Sequence, residues 1–254
     1  MGTYKDNNVY DFILRKLTTS MSFLVFMGCA TSTRRGSERG HLDESRTEPD
    51  VLAEVNPVGN VTAKISAEER TIRTARIIKN ATVYERYEFV FDRILGTGIS
   101  GEVREAISKT TNEHVAIKTL STVNLTPKKF EMLVQECEIY LRMDHPNICK
   151  LLEVYEDESA VHLVMELCSG KELYERLAAQ RRYTERDAAQ VLSGQLEAIN
   201  YCHMHSVVHR DLKLENWVYA SPAPDAPLKL IDFGMSKIFN EGTVLTAVHG
   251  TVCM

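Results

Sequence analysis

A glycine-rich octet sets the strongest limit on how this chain can fold. Residues 96–103 read GTGISGEV. Glycines at 96, 98 and 101 let the backbone come close to an anion with its N–H groups facing it. A dinucleotide-binding turn would need a helix straight after the glycines and an acidic residue about twenty positions further on. Here EVREAISK and HVAIKTLS follow, both reading as strands, and YEFVFDRILG reads as a strand before them. The glycines therefore belong to a β-hairpin, a flap suited to lie over phosphates. Lys118, in VAIK, would be half-buried on its strand, which is costly unless its charge is paired.

The partner comes from the next element. Thr126 and Pro127 give N-cap and first-turn signals, and KKFEMLVQECEIYLRM behind them has helical apolar spacing. The proline of DHPNI closes that helix. Glu136 sits mid-helix as the counter-charge for Lys118, while Glu138 faces another side. ICKLLEVYED and AVHLVMEL add two strands, so five strands and one long helix make a small lobe. After Cys168 and Gly170 the pattern turns helical, in KELYERLAAQ and in TERDAAQVLSGQLEAINYCHMH, which starts at Thr184 with Asp187. VVHRDLKLENWVY and LKLIDFG read as short strands and loops presenting polar groups.

Those loops carry the chemistry. In HRDLKLEN, Asp211 can accept or orient a hydroxyl proton, Lys213 can steady a transferring phosphoryl group, and Asn216 offers a hard oxygen to Mg²⁺. Asp232, in the DFG at 232–234, adds a carboxylate to that metal site.

Taken in order, these motifs resemble the eukaryotic protein kinase family. The resemblance implies an α+β, bilobal kinase-like fold over residues 83–254, with an N-lobe at 83–165 and a partial C-lobe at 166–254. It implies ATP and Mg²⁺ as cofactors and the following roles. Gly96, Gly98 and Gly101 form the phosphate flap, and Val103 and Ala116 sandwich adenine. Met165 is the gatekeeper, and Glu166 to Cys168 form the hinge whose backbone bonds adenine. Lys118 and Glu136 make the activating ion pair, Asp211 and Lys213 catalyse, and Asn216 and Asp232 hold metal. His209, Phe233, Tyr140 and Leu151 form an apolar stack between the lobes. VHLVMELCSGKELYERL, YTERDAAQ and DFGMSKIF look like the calmodulin- and calcium-dependent Ser/Thr kinases. Glu172 and Glu215, the latter also at the nucleotide site, imply protein substrates with a basic residue upstream of the target. Ser100, Lys171 and Leu214 depart from the family pattern, which has an aromatic, a glycine and a proline there, and no EF-hand loop occurs. Arg210 is placed to pair with a phosphorylated activation-loop residue, expected at Thr246. Thr251 resembles the family threonine that contacts the catalytic aspartate.

Other features bound the setting. A net charge of −5 gives no basic field for nucleic acid. Six scattered cysteines without a C-x-x-C pair suit a reducing, cytoplasmic compartment. Residues 1–82 read as an N-terminal extension, mostly a disordered tether, with a short helix over 66–79. Within it, residues 21–30 have the outline of a secretory signal. The same stretch contains MGCATS, an acylation pattern that would put myristate on Gly28 and palmitate on Cys29, and so the protein on a membrane, where translation starts at Met27. The family continues past residue 254 through A-P-E and further helices, so the chain reads as C-terminally truncated within its activation segment, with Leu196, Ile199 and Tyr201 lacking core partners. Two functions stay open: a Ser/Thr kinase, or a non-catalytic nucleotide-binding module, a pseudokinase by truncation. A secreted factor is the third reading.

Overall fold

The computed structural model describes residues 9–13, 67–98, 101–179 and 184–239. Gly28, Cys29, Ser100, Thr246 and Thr251 lie outside them. Helix α1 spans Ala67–Ala75 and α2 spans Val83–Arg86. Strands β1 (Tyr87–Gly98), β2 (Gly101–Ser108) and β3 (His114–Ser121) follow, then α3 (Pro127–Arg142), β4 (Leu151–Glu156) and β5 (Ala160–Glu166). The strands form one antiparallel sheet in the order β1-β2-β3-β5-β4. This is the five-stranded lobe with one long helix that the sequence predicts.

Helix α3 begins where its caps say. The Thr126 hydroxyl accepts the Lys129 N–H, and Pro127 opens the first turn. Leu133, Val134, Cys137, Ile139, Tyr140 and Leu141 are all buried, so the helix is enclosed from Leu133 onward, while most of its first six residues are exposed.

Two parts of the expected tether are instead built into this lobe. The 66–79 helix ends at Ala75, and residues 76–78 leave it to run along β4. Ile78 donates to the Val154 carbonyl at 3.0 Å, and Val154 donates to the Arg76 carbonyl at 2.8 Å. The free edge of β4 satisfies backbone groups that another helical turn would have used internally. Residues 9–13 form a helical turn with Val9, Tyr10 and Ile13 buried. Apolar burial on one side of that turn outweighs the polar composition around it.

Of the three glycines of the flap, Gly101 answers to packing. It has φ +130°, and a Cβ there would lie 2.2 Å from the Thr119 carbonyl oxygen of β3. At Gly96 a Cβ would meet nothing within 4 Å. Gly101→Ala is therefore expected to destabilise the chain by at least about 1–3 kcal/mol, while Gly96→Ala leaves the melting temperature nearly unchanged. Equal melting temperatures for the two variants would contradict this.

The second lobe contains α4 (Leu173–Ala179), α5 (Glu185–Met204), a 3₁₀ turn at Leu214–Asn216, and the short strands β6 (Val207–Val208), β7 (Trp217–Tyr219), β8 (Leu228–Leu230) and β9 (Lys237–Ile238). β6 pairs with β9 and β7 with β8. A Thr184–Asp187 capping box starts α5. The lobes are joined where Cys149 donates to the Leu230 carbonyl and Leu230 to that of Asn147, both at 2.9 Å. Leu196 is 55% exposed, but the expectation fails for its neighbours. Ile199 and Tyr201 pack on the core. The Tyr201 ring lies 5.0 Å from His145 and 4.1 Å from His205, and its hydroxyl accepts the Asp144 N–H. Segment 144–148 covers that side of α5 and leaves the Leu192–Leu196 side open.

Candidate active site

The register of the sheet builds one wall of the site. Val103 lies opposite Lys118, Ala116 opposite Met165, and Gly96 opposite Val103. Opposed residues share a sheet face, as do residues two apart, so Val103, Ala116, Lys118 and Met165 all face the same way. Ala116 and Met165 are buried.

Lys118 is 5% exposed and Glu136 4%. Their charged ends meet at 2.6 Å, and Lys118 Nζ also lies 2.9 Å from Asp232 Oδ1. The pair anticipated from the sequence forms; the additional link to Asp232, 114 residues away, had no local signal. Burial would pull the Lys118 pKa down, but Glu136 and then Asp232 override it and leave it above the ordinary value. Burial raises the Glu136 carboxyl, against the pull of Lys118. Asp232 is pushed up by burial but brought below its usual value by Lys118 and by the Gly234 N–H, 3.1 Å from Oδ1.

Asp211 lies on the loop after β6. Asn216 Nδ2 donates to the Asp211 carbonyl oxygen at 2.8 Å and lies 3.3 Å from its Oδ2. Lys213 Nζ approaches the same Oδ2 to 3.2 Å. The Asp211 N–H is 3.3 Å from His209 Nδ1, and burial lowers the His209 pKa, so the ring is a neutral acceptor at this nitrogen. Arg210 has φ +68°, and its Nε donates to the Met235 carbonyl at 2.7 Å. It thus ties the catalytic-loop region to the segment after DFG through backbone oxygens.

The predicted apolar stack forms as a chain of rings. Phe233 lies 5.2 Å from both His209 and Tyr140, and Leu151 is fully buried in the same core. The Tyr140 hydroxyl also donates to the Ile231 carbonyl, so α3 grips the strand leading into Asp232. Neither that bond nor the 2.7 Å ion pair between Glu166 and Lys229 had a signal in the sequence.

At the hinge, the Glu166 N–H is used by the Lys150 carbonyl. Among the described residues no hydrogen-bond partner is found for the Cys168 backbone. Glu215 is exposed on the 3₁₀ turn, and with Glu175 it adds to the effect of burial in raising the Glu172 pKa. Glu215 is thereby coupled to the acids Glu172 and Glu175. Two cavities, of about 760 and 400 Å³, lie elsewhere on the first lobe, one bordered by Phe89 and Arg104, the other by Thr111 and Leu152.

The donor set also bears on metal. Among the described residues no group of three or more His, Cys, Asp or Glu side chains is placed to hold a cation alone. The amide nitrogen of Asn216 is committed to Asp211, which leaves its oxygen as the donor. One carboxylate and one amide oxygen fit a hard cation that shares its shell with phosphate oxygens, as Mg²⁺ does.

A five-stranded lobe carrying a buried Lys–Glu pair, joined to a helical lobe whose loops present Asp211, Asn216 and Asp232, defines the two-lobed protein kinase architecture. Residues 89–253 match the family model for the protein kinase domain, and the chain belongs to that family. It is 42% identical over 163 residues to human calcium/calmodulin-dependent protein kinase type IV, covering 64% of this chain and 34% of the relative. Identity to Arabidopsis thaliana calcium-dependent protein kinase 32 is 42% over 166 residues, 65% of this chain and 31% of the relative. Arabidopsis thaliana calcium-dependent protein kinase 10 matches over 226 residues at 34% identity, 88% of this chain and 41% of the relative. The chain spans about a third of the length of the first two.

Proposed function

We propose that this chain carries the nucleotide-binding and catalytic-loop parts of a Ser/Thr protein kinase of the calmodulin- and calcium-dependent type, transferring the ATP γ-phosphate to a protein hydroxyl. The observation that carries the reading is the convergence of buried Lys118 and Glu136 with Asp232, which the Phe233–His209 ring contact links to the loop bearing Asp211. Lys118, fixed by Glu136, faces the α- and β-phosphates. The flap at Gly96, Gly98 and Gly101 covers them, and adenine lies between Val103 and Ala116 against the Glu166–Cys168 backbone. Asp211 orients the substrate hydroxyl and takes its proton, with Asn216 and Lys213 fixing its carboxylate. Asn216 and Asp232 would hold Mg²⁺, which when bound neutralises charge on the phosphates. The acidic group Glu172, Glu175 and Glu215 supports a basic residue near the target hydroxyl. Glu172→Lys together with Glu215→Lys is expected to abolish that preference in a positional-scanning peptide library, and a preference unchanged by both would refute it. Acylation at Gly28 and Cys29 would add membrane attachment where Met27 starts translation; radiolabelled myristate incorporation into a chain begun there tests it.

The test of the main reading is phosphate transfer from Mg·ATP to a basic peptide, alongside thermal stabilisation by Mg·ATP, since a ligand of the folded state must stabilise it. Absence of both overturns the proposal.

A further inference from the structure

The proposed transfer requires Glu136 to stay against Lys118, and Glu136 rides on α3. The helical turn at residues 9–13, reading VYDFI, is seated against that helix and β4. Val9, Tyr10 and Ile13 are 1%, 4% and 0% exposed. Their i, i+1, i+4 spacing places them on one side of the turn. Asp11 faces outward, 3.5 Å from Lys79. The Glu156 carboxylate of β4 accepts the backbone N–H of Val9 at 2.8 Å and of Tyr10 at 3.0 Å, so a side chain from the sheet caps the start of the turn. The Tyr10 hydroxyl reaches the carbonyls of Ile78 at 3.0 Å and Val154 at 3.2 Å. Phe12 meets Phe130, in the first turn of α3, edge-on at 5.8 Å. Burial, then Glu156 and Cys137, push the Tyr10 phenol up. Val9, Tyr10 and Ile13 also belong to the same buried core as Leu133, Val134 and Cys137 of α3.

These contacts tie α3 to β4 and to the stretch at residues 77–79, which β4 already holds through its backbone. A helix that carries a buried carboxylate is held in place only if something occupies the space behind it. We propose that residues 9–13 are an intramolecular clamp. They dock in the groove between α3, β4 and residues 77–79, and so hold Glu136 against Lys118. The groove recognises a short helical segment by its apolar side chains on one side and by the N–H groups at its start that donate to Glu156. Tyr10 and Ile13 are positioning residues. The catalytic consequence rests on the kinase reading; the docking does not.

Three variants of the full chain test this. Ile13→Asp puts a charge into the groove, Tyr10→Phe removes only the hydroxyl, and Ile13→Val keeps the packing. Backbone hydrogen exchange over residues 127–142 is expected to rise clearly in Ile13→Asp, less in Tyr10→Phe, and not in Ile13→Val. Turnover is expected to fall between about 2- and 30-fold in Ile13→Asp, with a raised KM for ATP and an unchanged KM for the peptide substrate. A synthetic peptide of residues 7–16, NNVYDFILRK, added to the Ile13→Asp chain, is expected to restore both protection and turnover. Unchanged exchange over α3 in Ile13→Asp overturns the clamp, and so does a peptide that restores neither quantity. If Ile13→Asp does not fold, Tyr10→Phe takes its place, and unchanged exchange there overturns the proposal. A wild-type chain that transfers no phosphate would defeat the kinase reading, while the exchange measurements would still decide the docking.

Discussion

Asp211→Asn is expected to lower phosphate transfer to a basic peptide by about 10²–10⁴-fold, the range that a positioned acid–base group contributes. The substitution keeps the shape of the side chain and one oxygen. It removes the negative charge that Lys213 approaches at 3.2 Å, and it puts an amide where a proton must be accepted. Asn216 can still donate to the Asp211 backbone carbonyl, its 2.8 Å bond, so the loop should hold its course. Thermal stabilisation by Mg·ATP is therefore expected to survive in the variant. Retained binding with lost transfer separates the chemical step from nucleotide recognition. Equal transfer by the variant and the wild type would remove Asp211 from catalysis altogether.

Lys118→Met is expected to have the larger effect on stability. It leaves the buried Glu136 carboxylate and its neighbour Asp232 without the cation that both contact. Breaking a buried ion pair from one side costs about 3–5 kcal/mol, because the remaining charge is still desolvated. The Mg·ATP thermal shift should disappear with it. The deficit should also depend on pH. Folded Glu136 already binds its proton more tightly than an ordinary carboxyl of 4.5. In the interval above 4.5 the folded state thus holds more protons than the unfolded one, and stability falls as pH rises. Removing Lys118 widens that interval. Asp232 works in the other direction. Its folded value lies below 3.8 because of Lys118, so its contribution is present above 3.8 and is lost as pH falls through the lower value. Removing Lys118 removes that contribution. Chemical denaturation should therefore show a smaller deficit at about pH 5.5 than at about pH 8, where Glu136 is forced to ionise unpaired. Parallel losses at the two pH values would mean that Glu136 is not the group left exposed to the missing charge.

Much of this site is legible in the sequence because each part sits in a short run whose spacing has a physical reason. The glycine flap, the strand-borne Lys118, the capped helix bearing Glu136 and the two polar loops all lie on the elements their local patterns require. Pairing Lys118 with Glu136 follows from the cost of burying one charge. That Lys118 also meets Asp232 does not, since the contact bridges two lobes and depends on their closure. Tyr140 shows the same limit. Its place in an apolar stack follows from family resemblance, but its hydroxyl bond to Ile231 depends on the angle of α3. Gly101 reads as an approach to phosphate, whereas its conformation also answers to the carbonyl of Thr119. The segments at 9–13 and 76–78 escape a sequence reading for a different reason. Each is too short for periodicity to stand out, and each gains its order from a surface supplied by residues about 70 to 150 positions away. The closeness of Glu215 to Glu172 has no signal in the sequence either, since a position in a motif does not say which way an exposed turn points.

The run of residues 76–78 along β4 has one more effect. A five-stranded sheet has two outer strands, and each offers unpaired N–H and C=O groups to any passing chain. On the β4 side the N–H and C=O of Val154 are taken up by Arg76 and Ile78, and the Tyr10 hydroxyl covers the carbonyls of Ile78 and Val154. On the β1 side, register shifts between Phe89 and Gly96, with Asp92 at φ +60°, break the regular row. Among the described residues one margin is thus covered at Val154 and the other is bent, and either device makes a sheet edge a poorer template for another chain.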